Sequence, residues 1–181
     1  MDFENRIKDC IRGDADRMAA LHSVVTLNLK DWCIAAGFVR NLVWDNLHKS
    51  KIPTPLNDID LIYYDPDEIA EATEKKFEDK IKAISNLPWS VKNQARMHER
   101  NNDAPYLSTT DAMSYWVEIE TAVGVRLSDT GNIEILAPFG VSNLFKNTIT
   151  FNSKRQSLED FYRRIEKKQW LSHWPNLTVS A

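Results

Sequence analysis

The chain has 181 residues, of which 43% are apolar and 27% charged, with 23 basic and 26 acidic side chains and a formal net charge of −3. This composition excludes a disordered tail and a collagen-like repeat, and no apolar run approaches the 18 residues of a membrane span. The small excess of acids argues against a nucleic-acid binder with a broad basic face. An acidic first segment unlike a secretory signal, and two cysteines that form no close pair, Cys10 and Cys33, predict a cytoplasmic protein.

The N-terminal part of the chain is predicted to form helix, then strand, then helix. Apolar residues recur every three to four positions over 2–29, with a break at Gly13 and Asp14, and this spacing predicts helical structure. The apolar run 32–37 is short and ends at Gly37, so we expect a strand that leads directly into a helix with an apolar face.

A second strand is predicted at 57–65, where β-branched and aromatic residues follow two prolines. Asp65 is followed by a proline and two acids, an arrangement that is typical of a helix N-terminus. The helix is expected to continue to about Ser85, with Ile69 and Ile84 on its buried face.

Shorter elements are predicted in the second half of the chain. A third strand at 87–94 leads into a short polar helix, and Ser108 with an acid three residues later begins another. The segment 120–140 consists of two β-rich runs around a turn sequence, which predicts a hairpin. Ser157 begins the last helix.

The order of these elements predicts an α+β fold in which a mixed sheet is flanked by helices. Because the chain contains no repeat, low-complexity stretch or linker, we expect one domain over 1–181. That domain would comprise an N-terminal helical segment, a core of sheet and helices, and a C-terminal helical segment, over 1–31, 32–140 and 141–181 respectively.

Asp58 and Asp60 are the strongest candidates for chemistry. Residues two apart on a strand point to the same face, so the two carboxylates project together. Like charges at this spacing repel each other unless water or a cation relieves them, and Mg²⁺ takes one or two carboxylates together with substrate phosphates. The alternative is a pair of exposed acids near a strand end.

Gly37 lies where a strand ends and a helix begins, and such a helix N-terminus presents free N–H groups to anions. Arg40 lies in the first turn, where a cation opposes the helix dipole, and Asn41 follows it. A phosphate between the helix and Arg40 would explain this arrangement. The alternatives are a surface arginine, or one that pairs with Asp45 or Asp58.

A polar cluster follows the third predicted strand. Asn93, Gln94, Arg96 and His98 could line a nucleotide pocket, and we take Asn93 and Arg96 as candidate nucleotide-binding residues. The alternative is that Asn93 caps a helix and that the others are exposed. The tryptophans near the C-terminus are expected to pack the last helix onto the body of the protein.

The run AAGFVRNLVWDNLH followed by LNDIDLIYYD resembles the bacterial nucleotidyltransferase-like family, whose members carry a G-x-x-R-N element and then D-x-D. The resemblance continues through WSVKNQARMH, TAVGVRL, IEILAPFG and KKQWLSHWPNL. It implies the fold of DNA polymerase beta and of the kanamycin-type and CCA-adding nucleotidyltransferases. By this resemblance Gly37, Arg40 and Asn41 bind the triphosphate, while Asp58 and Asp60 are catalytic and hold Mg²⁺, or Mn²⁺ in its place.

The sequence departs from that superfamily at two points. Gly37 is followed by Phe38 where the superfamily has serine, so one hydroxyl contact to phosphate is lost. Active members also carry a third carboxylate on a neighbouring strand, and the predicted strand at 87–94 contains no acid. Glu118 and Glu120, at the entry to the hairpin, are the nearest alternatives in sequence.

The first functional hypothesis is therefore a Mg²⁺-dependent enzyme that transfers a nucleotidyl group from an NTP to an acceptor hydroxyl. The acceptor is unknown, and the negative net charge favours a small molecule or a protein over a nucleic acid. The second hypothesis is a nucleotide-binding or protein-interaction module on the same fold with weak or lost catalysis. Neither involves a membrane, and the oligomeric state is left open.

Overall fold

The computed structural model of the chain describes residues 2–155 and 157–181. Five strands form a mixed sheet in the order β3-β2-β1-β4-β5, in which β2 and β3 run parallel and the other neighbours antiparallel. The strands of this sheet are β1 (Cys33–Ala35), β2 (Ile59–Tyr63), β3 (Trp89–Asn93), β4 (Gly124–Leu127) and β5 (Ile133–Leu136).

Eight α-helices surround the sheet within the described part of the chain, and none of them is long and apolar enough to cross a membrane. They are α1 (Phe3–Arg12), α2 (Ala15–Val25), α3 (Gly37–Leu47), α4 (Glu71–Ile84), α5 (Gln94–Asn101), α6 (Thr109–Met113), α7 (Leu158–Lys168) and α8 (Trp170–His173). The break expected near Gly13 is confirmed, because Asp14 caps α2 by accepting the N–H of Arg17.

The two faces of the sheet have different neighbours. Ile34, Leu61 and Val91 point into the main apolar core, which also contains buried residues of α1 to α4. Alternate residues of the strands face the other way. On that second face Ile62 packs in a smaller cluster with residues of α6, and Asp60 is left beside open space.

Register places three elements of the site in a row across the sheet. Ala35 pairs with Asp60, and Asp60 pairs with Ser90 on the parallel strand β3. Because β1 runs antiparallel to β2, the chain leaves β1 at the end of the sheet where Asp58 lies and begins α3 there at Gly37. The α3 N-terminus, the carboxylates and β3 therefore follow one another along one edge of the second face.

The edge strand β3 is covered by side chains of α4. Glu74 Oε1 accepts the N–H of Asn93 at 2.9 Å, and Glu78 approaches another N–H of β3 at 3.4 Å. Burial alone would raise the pKa of Glu74, but hydrogen bonds from Arg96, from the Asn93 N–H and from Lys92 hold that pKa below its usual value. An edge whose N–H groups already have acceptors is a poor template for a further strand.

A second, parallel sheet of two strands is formed by β6 (Thr148–Thr150) and β7 (Thr178–Ser180). The sequence did not predict it, because three residues carry little periodic pattern. Nearby, Trp174 Nε1 donates to Asp45 Oδ1 at 2.8 Å, and Asp45 also accepts from the N–H and the hydroxyl of Thr54. One buried carboxylate thus joins α3, the segment before β2 and the C-terminal residues.

The helix expected to begin at Asp65 begins later, at Glu71. The Asp65 carboxylate instead accepts the N–H of Asp67 and closes a turn. Ile69 then precedes the helix and Ile84 is its last residue, and both are 55% exposed, so their expected burial was wrong.

A contact between β4 and β1 gives a stability prediction. A Cβ added at Gly124 would lie 2.5 Å from Cys33 Sγ. We expect Gly124→Ala to lower the free energy of unfolding by about 1–3 kcal/mol, the usual cost of overpacking a core. In a Cys33→Ala background the same change should cost less, because the clashing sulfur is absent.

Urea unfolding of the wild type, both single variants and the double variant measures this coupling. An equal cost of Gly124→Ala in both backgrounds would contradict the contact.

Candidate active site

A cavity of about 490 Å³ opens on the second face of the sheet. It is bounded by the N-terminus of α3, the segment before β2, the end of β3 with α5, and the C-terminal helices. Within the described residues, the Asp, Glu, Lys and Arg side chains of its lining are two carboxylates and five cations: Asp58, Asp60, Arg40, Lys92, Arg155, Arg164 and Lys168. The excess of cations suits an anionic ligand.

The carboxylates of Asp60, on β2, and of Asp58, just before this strand, have no neutralising partner among the described residues. Asp58 is exposed and Asp60 partly buried, and no residue of the described chain donates a hydrogen bond to either or forms an ion pair with it. Burial raises the pKa of Asp60 to about 6, and the negative charge of Asp58 acts in the same direction. Two acids that repel each other in a cavity form a site at which a cation would be stabilised.

The donor set fits a hard divalent cation such as Mg²⁺, because carboxylate oxygens are its preferred protein ligands and Asp58 and Asp60 have no competing partner among the described residues. Over 2–155 and 157–181, no group of three or more His, Cys, Asp and Glu side chains is arranged to hold a metal. Other ligands of a cation here would be water and substrate oxygens.

Glu118 and Glu120 do not supply a third carboxylate beside Asp58 and Asp60. Both are buried, and Glu118 accepts two hydrogen bonds from Arg164, at 2.6 and 3.2 Å. Glu120 accepts from the hydroxyls of Thr148 and Thr150 and from the Thr150 N–H. These acids support neighbouring segments, and the strand beside Asp60 carries no acid, as the sequence indicated.

The turn into α3 presents unpaired backbone donors. Ala36 has a positive φ of 56°, a conformation that L side chains rarely adopt, and its N–H bonds to Val123 O. No acceptor among the described residues faces the N–H groups of Gly37 and Phe38. A Cβ on Gly37 would meet Asn41 Nδ2 at 3.3 Å, so the glycine lets this amide lie close over the turn.

Arg40 is neither a surface residue nor an ion-pair partner. It is 6% exposed, its guanidinium donates to Thr121 Oγ1 at 2.6 Å and to Asn41 Oδ1, and it lies over the rings of Trp44 and Trp170. No carboxylate in the described chain pairs with it, which excludes the pairings considered from the sequence. Burial lowers its pKa to about 10, so it stays charged at neutral pH.

Two cations that the sequence did not single out come from α7. Arg164 and Lys168 are four residues apart, which places them on one side of the helix, and both line the cavity. Their charges and that of Arg40 act on Asp60. The four-residue spacing of these two basic residues, beside the buried face of an amphipathic helix, is the feature of the sequence that could have identified them.

Trp170 and Trp174 are buried as expected, at 3% and 2% exposure. They also line the cavity, a role that the sequence did not suggest. Packing of the last helices onto α3 therefore forms part of the cavity wall.

Asn93 and Arg96 lie outside the cavity lining. Asn93 is buried, accepts the N–H of Ala95 as the cap of α5, and donates to carbonyl groups in the turn before α4. Arg96 forms two hydrogen bonds with Glu74. Of the same polar cluster, Gln94 reaches the cavity.

Comparisons with known proteins identify the family and the fold. The family model described as nucleotidyltransferase matches residues 22–179. A solved structure described as a CCA-adding enzyme head domain is 32% identical, with a TM-score of 0.85 over 97% of this chain and 95% of that one. Comparison with curated proteins gave no match.

Two more distant structures share the fold. A CCA-adding enzyme in complex with CTP is 13% identical, with a TM-score of 0.62, and covers all of this chain and 44% of its own. A structure described as tRNA-processing enzyme complex 3 is 15% identical, with a TM-score of 0.56 over 89% of this chain and 43% of that one. This chain therefore spans less than half the length of these two proteins.

The raised pKa of Asp60 predicts that this residue destabilises the free protein. A carboxyl whose pKa rises from 3.8 to about 6 on folding binds its proton more tightly when folded, so stability falls as pH rises between these values. The loss is complete above pH 6 and amounts to at most about 3 kcal/mol. Asp60→Asn should therefore raise the Tm by roughly 5–10 °C at pH 7.5, and by about half as much at pH 5.

Thermal unfolding without divalent cations tests this expectation. The matched control is Asp129→Asn in the exposed hairpin turn, which should leave the Tm nearly unchanged at both pH values. A lower Tm for Asp60→Asn at pH 7.5 would show that Asp60 is stabilised by its surroundings.

Proposed function

The chain belongs to the nucleotidyltransferase family, and we propose that it transfers a nucleotidyl group from an NTP to an acceptor hydroxyl within this cavity. The observation that carries the proposal is the juxtaposition of two unpaired carboxylates with the donors of the α3 turn and with five cations, of which Arg40 and Lys168 have no ion-pair partner among the described residues. In a nucleoside triphosphate bound with a divalent cation, the phosphates match the cations of the cavity and the metal ion matches its carboxylates.

The triphosphate would lie against the start of α3. The N–H groups of Gly37 and Phe38 have no acceptor among the described residues, Gly37 lines the cavity, and the positive end of the helix dipole lies at this turn. Arg40 supplies a charge that Asn41, Thr121 and two tryptophan rings hold in one orientation. Because the guanidinium is already ordered, little conformational entropy is lost when phosphate binds.

The cations of α7 would contact the other side of the phosphates. Glu118 holds the guanidinium of Arg164 through Nε and Nη2, which leaves Nη1 as a donor, and Lys168 has no ion-pair partner among the described residues. Charge-assisted hydrogen bonds of this kind are roughly twice as strong as neutral ones. Glu118 thus acts as a positioning residue for Arg164.

Asp58 and Asp60 would hold the divalent cation, which we propose to be Mg²⁺, with Mn²⁺ as its substitute. Bound there, the ion would supply Lewis-acid stabilisation of the phosphoryl oxygens. Asp60 pairs with Ala35 on one side and with Ser90 on the other, which places this carboxylate between the α3 turn and β3. The CTP in the structure of a distantly similar CCA-adding enzyme supports an NTP as the ligand.

The proposed transfer needs no reactant other than the NTP and the acceptor. The acceptor oxygen forms a bond to the α-phosphorus, the bond from that phosphorus to the β-bridging oxygen breaks, and pyrophosphate leaves. The proton of the hydroxyl passes to water. Chain residues contribute mainly by holding the reacting groups in line, which accounts for much of the acceleration in phosphoryl transfer.

A second candidate function is nucleotide binding without transfer. It is favoured by one observation, namely that no third acid joins Asp58 and Asp60 within the described residues. Release of pyrophosphate in the presence of an acceptor distinguishes the two, because a binding module would hold the NTP intact.

The carboxylate pair gives the main test. We expect Asp58→Asn with Asp60→Asn to abolish Mg²⁺-dependent stabilisation by NTPs, since both anionic ligands of the ion are removed. Thermal shift with each of the four NTPs, with and without Mg²⁺, measures this effect, because a ligand stabilises the native state by RT ln(1 + [L]/Kd). Wild-type binding by the folded double variant would overturn the metal assignment.

The cations of α7 give a second test with a neighbouring control. Lys168→Ala should raise the Kd for NTP about fivefold, equivalent to about 1 kcal/mol, because it removes a charge that faces the cavity. Lys167, the adjacent and exposed residue, is absent from the cavity lining, so Lys167→Ala should have no such effect. Equal effects in isothermal titration calorimetry would indicate only a general loss of charge.

A further inference from the structure

We propose that the acceptor approaches over β3 and is a small hydroxyl-bearing anion, whose phosphate or carboxylate is bound by Lys92 and Arg155. This inference rests on the proposed function and adds to it the side of approach and the charge class of the acceptor. Both residues line the cavity, and neither has a part in binding the triphosphate.

The side of approach follows from the order of elements across the sheet. In a displacement at phosphorus the attacking oxygen and the leaving pyrophosphate lie in line on opposite sides of the phosphorus. The α3 turn, where the β- and γ-phosphates would lie, follows β1, and the carboxylates lie on the neighbouring strand β2 and just before it. The opposite side of β2 is occupied by β3, so the acceptor oxygen must come from there.

The strand on that side carries a cation and no acid. Ser90 pairs with Asp60 and Lys92 with Ile62, and paired residues of parallel strands face the same side of the sheet. Lys92 therefore projects on the cavity side of β3, about two residues beyond Asp60 along the strands. Its ammonium contacts Glu74 Oε2 at 3.1 Å, and about one third of the side chain is still exposed, which leaves room for a second anionic partner.

Arg155 adds a second cation to the cavity lining and is tied to the segment after α5, the helix that follows β3. Its Nη1 pairs with Asp103 at 3.0 Å and its Nε donates to the carbonyl of Tyr115, which leaves Nη2 without a partner among the described residues. Two bonds to fixed groups hold the guanidinium plane and leave one edge for a ligand.

Gln94, two residues after Lys92, supplies a buried polar group to the cavity lining. It is 5% exposed and lines the cavity, and the bond that its amide forms in the described structure is a weak one, from Nε2 to Lys92 O at 3.5 Å. A buried amide costs free energy unless it is well hydrogen-bonded. An acceptor hydroxyl, which both donates and accepts, would satisfy it.

The surroundings favour a small anion over a polyanion. Lys92 and Arg155 each already have one carboxylate partner, Glu74 at 3.1 Å and Asp103 at 3.0 Å, so the charge left for a ligand is small. A long nucleic acid is usually bound by a broad basic face, and the net charge of −3 argues against such a face.

The test uses nuclear magnetic resonance of the full ¹⁵N-labelled chain. The protein is first saturated with Mg²⁺ and an NTP analogue that has a methylene group between the α- and β-phosphorus, so that the triphosphate site is filled and no transfer occurs. Glycerol 3-phosphate, glycerate and neutral glycerol are then titrated as probes. We expect the two anions to shift the amide signals of Ser90, Lys92 and Gln94, and glycerol to leave them unchanged.

Variants test the assigned residues. Lys92→Gln, which keeps a hydrogen-bond donor towards Glu74, should raise the Kd of the anionic probes at least fivefold, and Lys92→Ala at least as much. The matched control, Lys76→Ala, removes an exposed lysine of α4 outside the cavity and should leave that Kd unchanged. Binding of the NTP analogue should stay the same in all three variants.

The results distinguish a failure of the proposed function from a failure of the inference about the acceptor. If the wild type fails to bind the NTP analogue, the proposed function fails and this inference falls with it. If the analogue binds but the anions do not, or bind no better than glycerol, or bind equally to Lys92→Gln, the acceptor inference alone is overturned. A preference between the two anions assigns the acceptor as a phosphate or a carboxylate.

Discussion

The positive charge of Arg40 and the negative charge of Asp60 face one cavity without pairing, and the rest of the fold has to offset the cost of this arrangement. Arg40 is buried between tryptophan rings and Asp60 faces the same space, yet neither has an ion-pair partner among the described residues. Desolvation acts on both, lowering the pKa of Arg40 to about 10 and raising that of Asp60 to about 6. The remaining fold tolerates this cost because a large apolar core on the other face of the sheet supplies most of the stability. A ligand that carries a cation and phosphates would relieve both charges together.

The rigidity of the site depends on contacts between segments that are distant in sequence. Asp45 joins α3 to Trp174 across 129 residues, and Thr121 fixes Arg40 across 81. Glu118 similarly holds Arg164 across 46 residues. Consequently α7 and α8 pack on the cavity and also form its wall, and a change in their packing would alter the orientation of the cations.

Local patterns in the sequence predicted the local parts of this arrangement and little else. The two-residue spacing of Asp58 and Asp60 and the glycine at the start of α3 identified the carboxylates and the turn, because both depend on neighbouring residues alone. The cations of α7 were not singled out, because nothing near Arg164 in the sequence shows that Glu118 lies beside it. Asn93 shows the converse, since a polar residue after a strand looked like a ligand and is a helix cap. Strands of three residues, as in the second sheet, are too short to show a period.

The lack of an acid on β3 would affect the proposed reaction in a different way from the lack of a cation in the cavity. In the proposed step negative charge builds up on the phosphoryl and leaving oxygens, and positioned cations stabilise this charge. Within the described chain the cavity lacks a third carboxylate but has cations on both sides of the two aspartates. Glu118, the acid nearest in sequence to that missing role, instead holds one of these cations in place. On the proposal made above, Arg40 and Arg164 stabilise the phosphates and water takes the proton of the acceptor, while Lys92 contributes to the choice of acceptor.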